Sequence, residues 1–243
     1  MKNFLKRLLH FLGKALLIYL IGTFLLVIVW RWVPVIFTPY MLRKTVNSWI
    51  QGNRANVQHH WVSIEKISPH AVVAVVASED NLFMTHHGFS TEAIKKAIKM
   101  NKKGKKLRGA SSISQQTAKN LFTFGSRTWF RKCVEAYFTI LIEAVWNKER
   151  IMEVYLNSIE MGKGIYGIEA CAQQYFGCHA VRLNQAQAAL IAAALPNPIR
   201  YNIARPSPYM RRRQQQIMYL MPKMRTIEFL KRNASSKSAV KKK

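Results

Sequence analysis

The chain has 243 residues, enough for one domain of ordinary size and one anchor segment. Hydrophobic residues make up 49% of it, which excludes collagen-like, mucin-like and wholly disordered chains. Lys and Arg number 38 against 11 Asp and Glu, a formal charge of +27 that seeks polyanions: nucleic acid, anionic lipid head groups or phosphorylated substrates.

From Phe11 to Trp30 the sequence reads FLGKALLIYLIGTFLLVIVW, with no charge between Lys14 and Arg31. Twenty helical residues rise roughly 30 Å, the hydrocarbon thickness of a bilayer. Lys14 can snorkel at one end, and Trp30, Arg31 and Trp32 form an interfacial belt at the other. Pro34 is a natural stop. This predicts a transmembrane anchor over 11–36 behind a short cytoplasmic N-terminus, 1–10. There Lys2, Lys6 and Arg7 obey the positive-inside rule. A cleaved signal peptide would have a shorter apolar core and a small-residue cleavage site, whereas WRWVP follows here. With the rest of the chain outside the cytoplasm, nucleic acid is set aside as a partner. Membrane lipids and lipid pyrophosphates remain.

Residues 37–66 read as a membrane-proximal linker, helical in part, and 67–229 as the main domain. Pro69 opens an apolar run, His70 to Ser78, ending at Glu79 and Asp80. The run suits a helix, or a short buried strand through the β-branched VVAVVA. Asn101 to Leu107, NKKGKKL, reads as a mobile basic loop. Helices are predicted over Ser111–Leu121, Phe130–Trp146, Lys148–Asn157 and Leu183–Leu195, the last stopped by Pro196 and Pro198. Gly162, Gly164 and Gly167 mark a turn region, and 230–243 is a lysine-rich tail suited to anionic lipid. The domain therefore reads as mainly α. Cys133, Cys171 and Cys178 are odd in number and without a CxxC pair, so they read as small apolar residues, with no metal site.

Carboxylates are scarce, and Asp80 is the only aspartate. Glu79 ends an apolar run beside it, which pushes its pKa up and suits a general base or acid near neutrality. On a helix, Ser112, Gln115, Gln116 and Lys119 share one face, a stripe of hydrogen-bonding groups ending in a cation that suits sugars and a phosphate. Arg127, Arg131, Lys132 and Glu135 stand among Phe122, Phe124, Trp129 and Phe130, cations among aromatics as at a membrane interface. Arg131 and Glu135 are four apart and meet on a helix. In KERIMEVYLN, Glu149 and Glu153 repel at four apart, and Lys148 and Arg150 offset them.

Together these segments resemble the family 51 glycosyltransferases, the peptidoglycan glycosyltransferase domain of bifunctional penicillin-binding proteins and of monofunctional enzymes. The five motifs appear in order as EDNLFMTHHG, GASSISQQTAKNL, RKCVE, KERIMEVYLN and ALPNP, spanning Glu79 to Pro198. Ser90 stands where the family often has aspartate, and Ser112 where it often has threonine. The resemblance implies a lysozyme-like helical fold with a small membrane-proximal lobe, and polymerisation of lipid II into β-1,4-linked glycan strands. The implied place is the bacterial inner membrane, single-pass, with the catalytic domain in the periplasm. It implies Glu79 as general base and Glu135 as the second carboxylate, orienting cations or a divalent metal. Lys119, Arg127, Arg131 and Lys132 would hold pyrophosphate, and Ser112, Gln115 and Gln116 would contact substrate or hold the site together. No cofactor is required by this reading, Mg or Mn being the only candidate. The partners are lipid II, the lipid-linked glycan chain and membrane lipids, with other cell wall synthesis proteins as further candidates. The family binds the phosphoglycolipid moenomycin, so the resemblance implies that too. No KTG sequence is present, so no transpeptidase activity is expected. The rival readings are a lytic transglycosylase or lysozyme-type hydrolase, and a non-enzymatic membrane scaffold.

Overall fold

Helix α1, Lys2–Val29, carries no charge after Lys14 and is long and apolar enough to cross a membrane. The computed structural model describes residues 2–52, 57–92, 95, 111–124, 128–224 and 227–230. The NKKGKKL loop, Arg127 and the basic tail lie outside them. Most of α1 is exposed, but its C-terminal end docks on the domain. Val27 is fully buried and its carbonyl accepts from Trp146 Nε1 at 2.8 Å. Thr23 and Tyr137 hydroxyls meet at 2.7 Å, and Arg150 donates to the carbonyls of Trp30 and Val33.

Past this junction, Thr38 caps helix α2, Pro39–Ile50, the helical part of the predicted linker. Ser68 caps α3, Pro69–Glu79, with Pro69 in the first turn, where its missing N–H is harmless. The run VVAVVA is therefore helical. Ala71, Val72 and Ala74–Ala77 are all buried, and an all-round apolar surface suits a helix packed on several sides. Helices α4, Ile113–Phe122, α5, Trp129–Val145, and α6, Lys148–Ser158, follow, α4 packing on both others and on α2. Then come α7, Ile168–Phe176, and α8, Gln185–Ala194, which packs on α3. Helix α9, Pro208–Leu220, packs on α8 and α3 and is not among the helices expected from sequence.

The predicted glycine turn region also holds two short strands. Strands β1, Gln58–His59, β2, Glu160–Gly162, and β3, Ile165–Tyr166, form one sheet in the order β1-β3-β2. Strand β1 runs parallel to β3 with Gln58 opposite Ile165, and β2 runs antiparallel to it. Gly167 has φ +82°, and a Cβ there would lie 2.7 Å from the Asn157 carbonyl oxygen, so only glycine fits. The buried Asn157 side chain pairs with both backbone groups of Val62, tying the segment after β1 to α6. The largest fully buried side chains include Tyr155, Ile113, Leu121 and Ile142, so one part of the core lies between α4, α5 and α6, and the buried faces of α3 and α8 form another.

Candidate active site

Glu79 ends α3 at the floor of a cleft of about 850 Å³. Its Oε2 accepts from Gln116 Nε2 at 3.0 Å and its Oε1 from Ser78 Oγ at 3.2 Å. Burial pushes its carboxyl above the usual carboxylate range, against those hydrogen bonds and the positive charges of Arg213 and Lys119. The result is a carboxylate more basic than a solvated one, in a cleft, with its two oxygens oriented.

Gln116 is itself oriented. The fully buried Tyr155 donates its hydroxyl proton to Gln116 Oε1 at 3.2 Å, which leaves the amide N–H₂ for Glu79. Tyr155 belongs to the KERIMEVYLN helix and is not among the sequence candidates. Its only sequence signal is its place amid apolar residues of an amphipathic helix. Asp80, one residue past α3, points the other way. It accepts from Ile113 N at 3.1 Å and from His86 Nε2 at 2.8 Å, while His86 Nδ1 accepts from Gly88 N. Asp80 thus joins the end of the helix that carries Glu79 to the start of α4.

The predicted stripe on α4 divides in two. Ser112 is the N-cap: its Oγ accepts from Gln115 N at 3.1 Å and donates to the Gly88 carbonyl. Gln115 Oε1 accepts from Ser112 N at 3.0 Å, which completes a capping box. Both side chains are buried and occupied, so neither faces the cleft, a correction to the shared face expected from spacing. An N-cap residue stands outside the helical spiral, and that is why Ser112 leaves the stripe. Gln116 and Lys119 do line the cleft.

Behind Lys119 stand Arg131 and Lys132, in the first turns of α5. Arg131 Nη1 lies 2.8 Å from Glu135 Oε2, and Lys132 Nζ pairs with Glu135 Oε1. Glu135 is 2% exposed and neutralises one charge of the group. Burial lowers the pKa of the Lys119 amino group, and the charges of Arg131 and Lys132 lower it further, while Glu135 and Glu79 oppose this. Lys119 has no ion pair among the described residues, so its charge is available to a ligand. Both oxygens of Glu135 are taken by cations, a donor set that does not fit a divalent metal. Arg127 lies outside the described residues.

The fourth motif serves the frame. Arg150 pairs with Glu153 at 2.6 Å, and Lys148 pairs with Glu143 at 2.7 Å and donates to the His86 carbonyl. The repulsion expected between Glu149 and Glu153 is thereby offset at Glu153, where Ile64 N also donates.

The opposite wall of the cleft comes from the segment after α8 and from α9. Asn197, Tyr201, Tyr209, Arg212, Arg213 and Gln216 line it. Asn197 belongs to the ALPNP motif. The other five are absent from the sequence candidates, because their place in the cleft is made by the packing of α9 on α8 and α3. Arg213 Nη2 donates to the Ser78 carbonyl at 3.3 Å, at the end of α3 where carbonyls lack helical partners. One guanidinium therefore braces the helix that carries Glu79 and places positive charge near its carboxylate.

Residues 44–222 match a family model described as Transglycosylase. A protein of Bacteroides thetaiotaomicron named biosynthetic peptidoglycan transglycosylase is 51% identical over 242 residues, covering 98% of this chain and 97% of that one. A protein of Pseudomonas putida with the same name is 48% identical over 84% of this chain and 87% of its own length. One of Chromohalobacter salexigens, again so named, is 46% identical over 95% of this chain and 99% of its own.

Proposed function

The chain belongs to the transglycosylase family, and from that premise we propose that it polymerises lipid II into peptidoglycan glycan strands by an inverting transfer. The observation that carries the reading is one cleft holding an oriented, basic carboxylate, Glu79, and a cation, Lys119, without an ion pair among the described residues. Glu79 takes the proton of the acceptor sugar's 4-hydroxyl. The freed oxygen attacks the anomeric carbon of the donor, a glycan chain on undecaprenyl pyrophosphate. The bond to pyrophosphate breaks with inversion, giving a β-1,4 linkage. The leaving group is already a weak base, so it needs charge stabilisation rather than a proton. Lys119 supplies it, backed by Arg131 and Lys132, with Arg127 as a fourth candidate. Glu135 sets the geometry of that cation group. Gln116 fixes the base, and Ser112 and Gln115 hold the helix that presents Gln116. No cofactor enters these steps. The absence of a KTG sequence supports a chain without transpeptidase activity.

The same reading places the protein in the inner membrane by one span, with Lys2, Lys6 and Arg7 in the cytoplasm and the domain in the periplasm. The aromatic cluster supports a second contact with lipid. Trp129 is 87% exposed and Phe130 78%, beside Phe124. Membrane lipids, lipid II and the growing chain are the partners.

The test is incubation of labelled lipid II with detergent-solubilised protein, followed by muramidase digestion of the product. Polymer that muramidase returns to disaccharide units is expected. Clearing of purified cell walls with no polymer made would assign the protein to the hydrolases instead.

A further inference from the structure

The cleft has cationic groups on two sides of Glu79, and they stand in different surroundings. Lys119, on α4, is backed by α5, the helix on which the membrane span packs and which begins with the exposed Trp129 and Phe130. Arg212 stands on α9, which packs on α8 and α3. The pyrophosphate of a lipid-linked substrate stays within a bond or two of its lipid, so it belongs on the α5 side. The α9 side faces the part of the substrate that extends away from the membrane.

Arg212 is exposed, lines the cleft and has no ion pair among the described residues. Arg213 beside it is engaged with Ser78. Next to them the rings of Tyr201 and Tyr209 lie 5.4 Å apart and tilted by 30°. Asn197 and Gln216 add two amides to the same wall. A planar guanidinium matches a carboxylate bidentately, while aromatic faces and amides suit sugar rings and peptide groups. A wall built only to carry the leaving group would need neither the aromatic pair nor the amides.

We propose that the α9 wall is a subsite for the carboxylate-bearing stem peptide of the lipid-linked glycopeptide, with Arg212 as its anion-binding group. The proposal rests on the reading of the chain as a peptidoglycan polymerase. The two sets of cations then have separate roles. The α4–α5 group holds pyrophosphate at the lipid, and Arg212 reads the peptide carboxylates further out. Arg212 thereby governs substrate affinity rather than the chemical step.

Two measurements test it. The first compares lipid II with a lipid II whose stem-peptide carboxylates are amidated. The wild type is expected to use the amidated substrate with a KM roughly tenfold higher and an unchanged kcat, since one lost charge-assisted contact is worth about a factor of ten. Arg212→Gln should remove that difference, and Arg212→Lys should keep part of it. The second needs no turnover. A soluble disaccharide–pentapeptide, without lipid or pyrophosphate, is titrated into wild type and variants at one salt concentration, with inorganic pyrophosphate as a second probe. Arg212→Gln should weaken the peptide probe roughly tenfold and leave pyrophosphate unchanged. Equal KM for both lipid substrates in the wild type overturns the proposal, as does a difference that survives in Arg212→Gln. A loss of pyrophosphate rather than peptide binding would assign Arg212 to the leaving group and overturn it too. If the wild type polymerises neither substrate, the polymerase reading fails, and the titration still decides the subsite. Should Arg212→Gln not fold, Arg212→Lys and the wild-type comparison carry the test.

Discussion

At Glu79, the proposed general base, the requirements of stability and of that chemistry oppose each other. Its pKa is raised above the ordinary carboxylate value by burial. The folded state therefore binds the proton more tightly than the unfolded chain, and the ionised form is the strained one. Stability at this residue is lost as pH rises above the ordinary carboxylate value, and the loss is complete above the folded pKa. Glu79→Gln removes that loss and keeps an oxygen for Gln116. The expected outcome at neutral pH is a higher Tm together with a fall in polymerisation of about 10²- to 10⁴-fold, the usual cost of a lost general base. Near-normal turnover, or a Tm gain that persists below the ordinary carboxylate pKa, would contradict it. Lys119 is the matching cation. Charge-assisted contacts to phosphate contribute about 1.5–3 kcal/mol each, so Lys119→Ala should weaken moenomycin binding at least roughly tenfold and slow polymerisation. An affinity titration at fixed salt checks this, because screening alters phosphate contacts. Both residues are legible in the sequence, Glu79 from its place at the end of an apolar run and Lys119 from its position on a polar helix face. Tyr155, Arg212 and Arg213 are not. Their relation to Glu79 is made by packing between helices far apart in the chain, which no spacing within one helix records.

Among the elements, α4 follows from the sequence nearly to its ends, while the roles of its first residues do not. Helical spacing treats Ser112 as one more member of a face. In the fold it is the cap, and its hydroxyl also holds the Gly88 carbonyl. Gly88 itself has φ +85°, and a Cβ there would sit 2.8 Å from Thr139 Cγ2, so the loop after Asp80 must pass close against α5. Ser112→Ala should therefore cost about 1 kcal/mol of stability, read as a fall in Tm or in the denaturant midpoint. Its effect on kcat/KM at a temperature where the variant is fully folded should be small. A large loss of kcat/KM in the folded variant, with KM raised, would show instead that Ser112 touches substrate. The strands β2 and β3 are hidden for a related reason: two or three residues give no period to detect. The VVAVVA run is ambiguous for the opposite reason. β-branched residues favour strands on a half-buried surface, yet burial between α8, α9 and the core makes the helix acceptable.

Across the whole molecule, the anchor and the catalytic domain are one packed body at their junction. Trp146 and Arg150 spend their donors on carbonyls of residues 27–33, and Trp30 packs on Phe122 with ring centroids 5.3 Å apart. Removing residues 1–36 therefore does two things that a simple tether would not. It strips the Trp146 indole of its acceptor and the Arg150 guanidinium of its backbone acceptors, leaving Arg150 its ion pair with Glu153, and it uncovers the ring of Phe122, which stacks on Phe138 at 3.9 Å. The truncated protein should be less stable by about 1–3 kcal/mol, the usual cost of leaving buried polar groups unpaired. It should also remain partly membrane-bound, because Phe124, Trp129 and Phe130 stay exposed beside Arg131 and Lys132. Liposome flotation with and without anionic lipid measures the second effect, and thermal unfolding in detergent the first. Partial flotation that falls with added salt is the expected result, since the basic component is screened while the aromatic component is not. A truncated protein that stays wholly in the soluble fraction would show that the aromatic cluster does not meet lipid. An unchanged Tm would show that the junction contributes nothing to the fold. With Glu79 as the proposed base and a lipid-linked substrate, residual polymerisation on liposomes by the truncated form is expected to follow the flotation result.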